Sequence, residues 1–246
     1  MQPPSTDIVS IEGFSVHTAT RLDVFGGAPP EPHTLAIHFH LHPTSLLLAA
    51  ATDDSRFSIR YWDLESQVLE RVNDGSPWAS GRALARAVTG VAFVHAGGAA
   101  KELRVVLEAK NGHPRAAGGM GWELTTPHGA HTQDVVAFAR GLELGVVLGG
   151  TDEEPKAKQR IVMDIWFLEK PQHPTEVDYT TIVDRIVEGT EESRYRTLER
   201  LVHEAARIAS SASGAHCREV IIRAMRPAAV TFADALVVQL TLPCSP

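Results

Sequence analysis

The sequence has few of the residues that mark several large classes of protein. Its 246 residues include only two cysteines, Cys217 and Cys244, too few for a disulfide framework, and reduced thiols in a cytosolic protein are expected. The net charge is −7, and the arginines near residue 200 are mixed with acids. A nucleic-acid partner needs a clustered basic surface, so we expect none.

Long apolar runs are also missing. No run approaches the roughly 18 residues of a membrane span, and the opening MQPPSTD has neither the basic nor the apolar region of a signal peptide. We therefore expect no membrane partner and a cytoplasmic location. With 43% hydrophobic and 22% charged residues, the composition is that of a globular protein with a real core.

An internal repeat is the strongest positive signal. Six blocks recur in the same order: 7–14 with 134–141, 33–41 with 159–167, 59–72 with 177–190, 79–92 with 196–209, 103–112 with 219–228, and 120–127 with 236–243. Two copies are too few for a solenoid, so the pattern indicates a duplicated domain. We place module 1 at 7–127 and module 2 at 131–243, joined by the Pro- and Gly-containing segment 127–133.

Periodicity predicts the same elements in both modules. Residues 35–42 alternate as a half-buried strand does, with Ile37 on the face that packs. Residues 182–187 place apolar side chains at helical spacing, and Asp178 precedes them as a plausible N-cap. The predicted order is strand, strand, helix, helix, strand, strand. This order indicates an α+β fold with helices on one face of an antiparallel sheet.

Three histidines, His38, His40 and His42, alternate along one strand and therefore point to the same face. Such a trio could bind zinc. The apolar residues between them are expected to face the helices, which leaves the histidines on the opposite side. We predict no metal site and no cofactor.

Local motifs in both modules resemble the dihydroneopterin aldolase family of the tunnelling-fold (T-fold) group. In module 1 the motif is LAAATDDSRFSIRYWDLESQVLERV at 48–72. In module 2 the motifs are VDYTTIVDRI at 177–186, YRTLERLVHEAARIA at 195–209 and VIIRAMRPAAV at 220–230. The resemblance covers nearly all of 7–243 and implies two tandem T-fold (ββααββ) modules.

The resemblance implies an aldehyde-lyase-like enzyme. The family cleaves 7,8-dihydroneopterin by a retro-aldol reaction to 6-hydroxymethyl-7,8-dihydropterin and glycolaldehyde, often with epimerisation, in folate biosynthesis. It uses neither a metal nor a lysine Schiff base. A glutamate on the second helix anchors the amino-pyrimidinone edge, since a carboxylate offers two acceptors to adjacent N–H donors. A tyrosine of the neighbouring subunit and a lysine handle protons, and a second glutamate precedes the second strand.

Carried over to module 2, the resemblance assigns one residue to each role. Glu199, within TLER, is the anchoring glutamate, and Glu154 is the second substrate-binding glutamate. Tyr61 of module 1 and Tyr179 of module 2 both hold the tyrosine position. Arg226 stands where the family has lysine. Because an arginine does not give up its proton in a protein, Arg226 could fix an anion or polarise a carbonyl but could not be the base.

Module 1 keeps less of the family pattern. Gly81 or Arg82 falls at the anchoring position, and Ala28 and Pro29 stand where an acid would precede the second strand. Lys110 lies near the lysine position, with an uncertainty of one residue. The site of module 1 is therefore expected to be degraded.

Sites of the family lie between neighbouring subunits of a ring of four T-folds. One pocket could then combine Glu199, Arg226 and Glu154 of module 2 with Tyr61 of module 1. Two chains would complete a ring, so the resemblance implies a homodimer, or a homotetramer of two stacked rings. The partner is otherwise a small-molecule substrate.

Two alternatives remain open. The scaffold could serve as a cyclase or isomerase of specialised metabolism with a non-pterin substrate, which Arg226 in place of lysine favours. It could also be a non-catalytic pterin-binding protein. All three hypotheses share the same fold.

Overall fold

The computed structural model describes residues 7–16, 33–42, 44–73, 78, 80–130, 132–149, 157–171 and 177–244. The chain divides into two compact units. Among the described residues, the first unit holds those of 7–109 and 122–135, and the second holds 110–121 and those of 136–244. The connection at 110–121 groups with the second unit, although module 1 includes it. The module boundaries themselves stay a prediction.

The first unit is an antiparallel sheet with helices. Its elements are β1 (Ile8–Val16), β2 (His33–Leu41), α1 (Ser45–Thr52), α2 (Tyr61–Val72), α3 (Gly81–Ala96), β3 (Ala100–Ala109) and β4 (Met120–Pro127). The strands follow the order β1-β2-β3-β4, and both β1–β2 and β2–β3 are antiparallel. In the described part of this unit, β1 lies at the edge of the sheet, next to β2.

The second unit repeats this plan. Its elements are β5 (Asp134–Leu148), β6 (Lys158–Glu169), α4 (Tyr179–Glu191), β7 (Arg194–Tyr195), α5 (Leu198–Ser213), β8 (Cys217–Val230) and β9 (Ala233–Pro243). The sheet order is β5-β6-β8-β9, and the two-residue β7 pairs with the end of β5. The predicted α+β class and element order are confirmed in both units, with α1 and β7 as additions.

The core of each unit lies between the helices and one face of the sheet. In β2, Leu35, Ile37, Phe39 and Leu41 are at most 1% exposed, as the alternation predicted. His38 and His40 lie on the opposite face, where His38 Nδ1 is 2.8 Å from Ser10 Oγ. His40 Nδ1 is 4.0 Å from a carboxylate oxygen of Glu102.

Side-chain caps begin both long helices of the second unit. Asp178 Oδ1 accepts a hydrogen bond from the Thr181 N–H at 3.0 Å, which confirms the predicted N-cap of α4. Thr197 Oγ1 accepts from the Arg200 N–H at 3.2 Å and fixes the first turn of α5. No helix among the described residues is both long and apolar enough to cross a bilayer.

The strand pairing corrects two alignments of the repeat. Leu41 pairs with Ala100 and Glu169 pairs with Cys217, in each case directly after a register irregularity. The counterpart of 33–41 is therefore 161–169 rather than 159–167. This sequence alignment was wrong by two residues, but a slip of two keeps every side chain on its own face. The same pairing equates Ala100 with Cys217, so the alignment of 103–112 with 219–228 was wrong by one residue, and the counterpart of Arg226 is Ala109.

Candidate functional site

Glu199 is the second residue of α5, and its side chain is exposed. Across the described residues, no hydrogen bond or ion pair engages its carboxylate. The first turn of a helix carries unsatisfied N–H groups and a positive partial charge, which stabilise an ionised carboxylate there. Both carboxylate oxygens of Glu199 are therefore available to accept hydrogen bonds from a ligand.

Arg226 is the tenth residue of β8 and is half-buried. It continues the face of Val220, Ile222 and Ala224, which are fully buried, and α5 packs on β8. Within the described part of the chain, no ion pair or hydrogen bond involves its guanidinium. A cation without a partner at the end of a buried face is available to an anionic or carbonyl group.

Glu199 and Arg226 lie at the same end of the second unit. A short turn at 214–216 joins the end of α5 to the start of β8, so the two elements run antiparallel. Glu199 is about 21 Å along the helix from its end, and Arg226 is about 30 Å along the strand from its start. Both residues are therefore far from the connecting turn.

Tyr179 lies at the other end of this unit and is 2% exposed. Its hydroxyl donates to Glu169 Oε1 at 3.0 Å and lies 3.6 Å from Cys217 Sγ. Its ring centroid is 4.7 Å from that of Phe167. Burial raises the pKa of the Tyr179 hydroxyl well above its usual value, and burial also raises the pKa of the Cys217 thiol to about 11.

Tyr61, the counterpart of Tyr179, is the first residue of α2 and is 56% exposed. The neighbouring Trp62 is 53% exposed, and the two ring centroids are 5.1 Å apart in an edge-to-face arrangement. Two large aromatic side chains with this much exposure offer a surface for a flat ligand.

A cleft of about 430 Å³ opens beside these rings, between α2 and the edge strand β1. Its walls combine apolar residues with two carboxylates: Ile11, Glu12, Phe14, Ile37, Tyr61, Trp62, Leu64, Glu65 and Val68. The volume is within the range of small-molecule sites. The sequence interpretation missed Trp62, Glu12 and Glu65, although the position of Trp62 next to Tyr61 was a usable signal.

The structure also gives the locations of two other predicted site positions of module 1. Arg82 is the second residue of α3, as Glu199 is of α5, and is 3% exposed. Lys110 is an exposed turn residue directly after β3, one position beyond Ala109, the counterpart of Arg226. Glu154 lies outside the described residues, as do Ala28 and Pro29. The catalytic and binding roles of all these residues stay predictions.

The connection that follows Lys110 is fixed to α4 by two polar side-chain contacts. His113 Nε2 lies 3.0 Å from Asp184 Oδ1, and Arg115 makes a two-pronged ion pair with Glu191. Hydrogen bonds from Arg115, with a smaller contribution from the Gly145 N–H, hold the pKa of the Glu191 carboxyl below its usual value. The connection is therefore a structured part of the second unit.

Two antiparallel units of ββααββ order in one chain define a tandem T-fold protein, and solved structures agree with this class. Uricase from Arthrobacter globiformis aligns with 99% of this chain and 95% of its own, at 12% identity and a TM-score of 0.66. Urate oxidase from Bacillus sp. TB-90 aligns with 97% of each chain, at 13% identity and a TM-score of 0.66. Identities this low show the fold alone.

The predicted resemblance to the dihydroneopterin aldolase family is confirmed. Residues 137–241 match the family model described as FolB, dihydroneopterin aldolase, over almost the whole continuous part of the second unit. The folic acid synthesis protein fol1 of Schizosaccharomyces pombe is 25% identical over 240 residues. That alignment covers 95% of this chain but only 30% of fol1. Dihydroneopterin aldolase of E. coli aligns with 44% of this chain and 97% of its own, at 22% identity and a TM-score of 0.40.

Proposed function

We propose that this protein is a lyase of the dihydroneopterin aldolase type that acts on a reduced pterin. The observation that carries the proposal is Glu199, which lies inside the matched region and to which the resemblance assigns the anchoring role. Its carboxylate is exposed and unengaged among the described residues, at the end of the unit that also holds Arg226. The name of fol1, a folic acid synthesis protein, supports the same substrate class.

In this proposal Glu199 orients the pterin and the chain's other groups handle charge. Retro-aldol cleavage removes the proton of the side chain's 2′-hydroxyl, breaks the C1′–C2′ bond and releases glycolaldehyde. The bonding electrons pass into the conjugated imine of the ring, and a proton then returns to C1′. Tyr61 supplies a hydroxyl that exchanges a proton, and Arg226 supplies a fixed positive charge for the electron density that develops on the ring.

A second copy of the chain completes the site. The edge strand β1 borders the cleft with Tyr61, and β9 is the edge strand beyond β8 in the described part of the second unit. Leu236 and Val237 of β9 are 40% and 41% exposed. Open edges of this kind pair with another chain unless they are covered. We propose that β9 of one copy lies beside β1 of the other, which brings Glu199 and Arg226 to the cleft that holds Tyr61.

One specific residue favours a second candidate function. Arg226 cannot act as a proton-transferring base, and its planar fork suits a carboxylate or a developing oxyanion. The same scaffold could therefore serve as a cyclase or isomerase with a non-pterin substrate.

The test compares wild type with Glu199→Ala in binding and turnover of 7,8-dihydroneopterin. Loss of a charge-assisted bidentate contact should weaken binding by about 2–4 kcal/mol and abolish glycolaldehyde release without unfolding. Glu188→Ala is the matched control, since Glu188 is an exposed glutamate of α4. Binding without turnover would indicate a pterin-binding protein. No pterin binding by wild type, with capture of another ligand from a purine panel, would favour the second candidate.

A further inference from the structure

Tyr61 and Tyr179 hold the same place in the repeat but have opposite environments. Each is the first residue of the first long helix of its unit, α2 and α4 respectively. Tyr61 is 56% exposed beside a cleft, whereas Tyr179 is 2% exposed. A difference of this size between equivalent residues needs a local cause.

The local cause is a pair of strand residues that contact the Tyr179 hydroxyl. Glu169 at the end of β6 accepts its hydrogen bond at 3.0 Å, and Cys217 at the start of β8 lies 3.6 Å away. Glu169 is itself 5% exposed. These two residues are paired across the strands, so they form a polar pocket of defined position in the core.

The first unit places apolar residues at the equivalent position. The equivalent pair, which also follows a register irregularity, is Leu41 with Ala100. Both are fully buried and apolar. A hydroxyl buried against leucine and alanine would lose its hydrogen bonds to water without replacement. Tyr61 is therefore more stable with its hydroxyl in solvent.

We infer that Glu169 and Cys217 are positioning residues that withdraw Tyr179 from ligand use, so that each chain presents Tyr61 alone. Glu169 accepts the hydrogen bond from the Tyr179 hydroxyl. Cys217 places a polarisable sulfur beside that hydroxyl, at the position that Ala100 holds in the first unit. If the proposed function holds, the assembly then has one pterin site per chain rather than two. This stoichiometry rests on the proposed function, but the difference between the tyrosines does not.

The test is nitration of the folded full chain with tetranitromethane, followed by peptide mass spectrometry that separates Tyr61, Tyr179 and Tyr195. Nitration requires an accessible phenolate, and burial suppresses both access and ionisation, so Tyr61 should react at least about tenfold faster than Tyr179. The double variant Glu169→Leu/Cys217→Ala gives the second unit the apolar pair of the first. We expect it to raise Tyr179 nitration toward the rate of Tyr61.

Glu169→Gln is the conservative control, because its amide oxygen still accepts the hydrogen bond and should keep Tyr179 protected. The reciprocal variant Leu41→Glu/Ala100→Cys should protect Tyr61, and it decides the question if the first double variant does not fold. Equal nitration of Tyr61 and Tyr179 in wild type would overturn the inference. So would a folded Glu169→Leu/Cys217→Ala protein in which Tyr179 stays protected.

Calorimetric titration with a reduced pterin supplies a separate measurement. We expect one ligand per chain in wild type, and two would overturn the stoichiometric part of the inference. If no pterin binds, the proposed function fails, while the nitration result still decides whether Glu169 and Cys217 withdraw Tyr179.

Discussion

If the proposed function holds, Arg226 limits the proton chemistry that the site can perform. Lysine and arginine carry the same charge, but only lysine changes its protonation state readily when it is desolvated. Arg226 is half-buried on the helix-covered face of β8 and unengaged among the described residues. An aldolase with this arginine must route its proton through the Tyr61 hydroxyl and water.

We therefore expect Arg226→Lys to raise glycolaldehyde release from 7,8-dihydroneopterin. The lysine ammonium can exchange a proton near neutral pH once it is partly desolvated. Arg226→Met, which keeps length but removes charge, should lower the same rate. Wild-type cleavage that falls in the lysine variant would show that arginine itself serves the aldolase step. Absence of cleavage in both proteins would favour the second candidate function, a cyclase or isomerase with a non-pterin substrate. Arg226→Lys should then lower that native activity about ten- to a thousand-fold.

The repeat in the sequence predicts that Tyr61 and Tyr179 are equivalent, and the structure confirms their common place at a helix start. Their opposite exposure could not be predicted. It depends on Glu169 and Cys217, which are 10 and 38 residues from Tyr179 and become neighbours only when β6 and β8 pair. Local pattern predicts position along an element, whereas the surroundings of a side chain come from tertiary pairing.

At the scale of elements, long periodic segments were predictable and short ones were not. The alternation in β2 and the helical spacing in α4 each supply several apolar positions, so their type is well determined. The helix α1 has eight residues without a buried face, and β7 has two residues. Neither offers enough periodic positions for prediction. The attachment of 110–121 to α4 was also missed, since it depends on side-chain contacts between residues that are distant in the sequence.

The Arg115–Glu191 ion pair should make this attachment sensitive to acid. Hydrogen bonding from Arg115 lowers the pKa of Glu191 in the folded state from an ordinary value of 4.5. Its contribution to stability is therefore present above pH 4.5 and is lost as the pH falls through the lowered pKa. We expect Arg115→Ala to lower the melting temperature at pH 7 and to have a progressively smaller effect as the pH falls below 4.5.

The control for this measurement is Arg160→Ala, which removes the partner of Glu143 in a more exposed pair. Exposed ion pairs contribute little because solvent screens them, so the melting temperature should change less at either pH. An Arg115→Ala effect that is as large at pH 3 as at pH 7 would contradict the assignment to Glu191 ionisation.

For the whole molecule, the open edges of the two sheets predict how copies assemble. Among the described residues, β1 lies at one end of the strand order of the first unit and β9 at one end of that of the second, and β9 carries the half-exposed Val237. We expect light scattering at micromolar concentration to give the mass of two or four chains of 26.6 kDa. Val237→Lys should shift the mass toward one chain, because a lysine on an edge strand opposes pairing. The valine-to-lysine control is Val94→Lys at an 83% exposed position of α3, where no change is expected.

The proposed sharing of sites between copies makes the same assembly testable by activity. A Tyr61→Phe chain keeps Glu199 and Arg226, and a Glu199→Ala chain keeps Tyr61, so each variant alone should be inactive on dihydroneopterin. When the two are unfolded together and refolded, random pairing places both variants in half of the two-chain rings, and each such ring holds one intact site out of two. Glycolaldehyde release should then recover to roughly a quarter of the wild-type rate. If light scattering shows that the mixture is assembled but glycolaldehyde release does not recover, Tyr61 and Glu199 belong to the same chain's site. That result would contradict the shared arrangement.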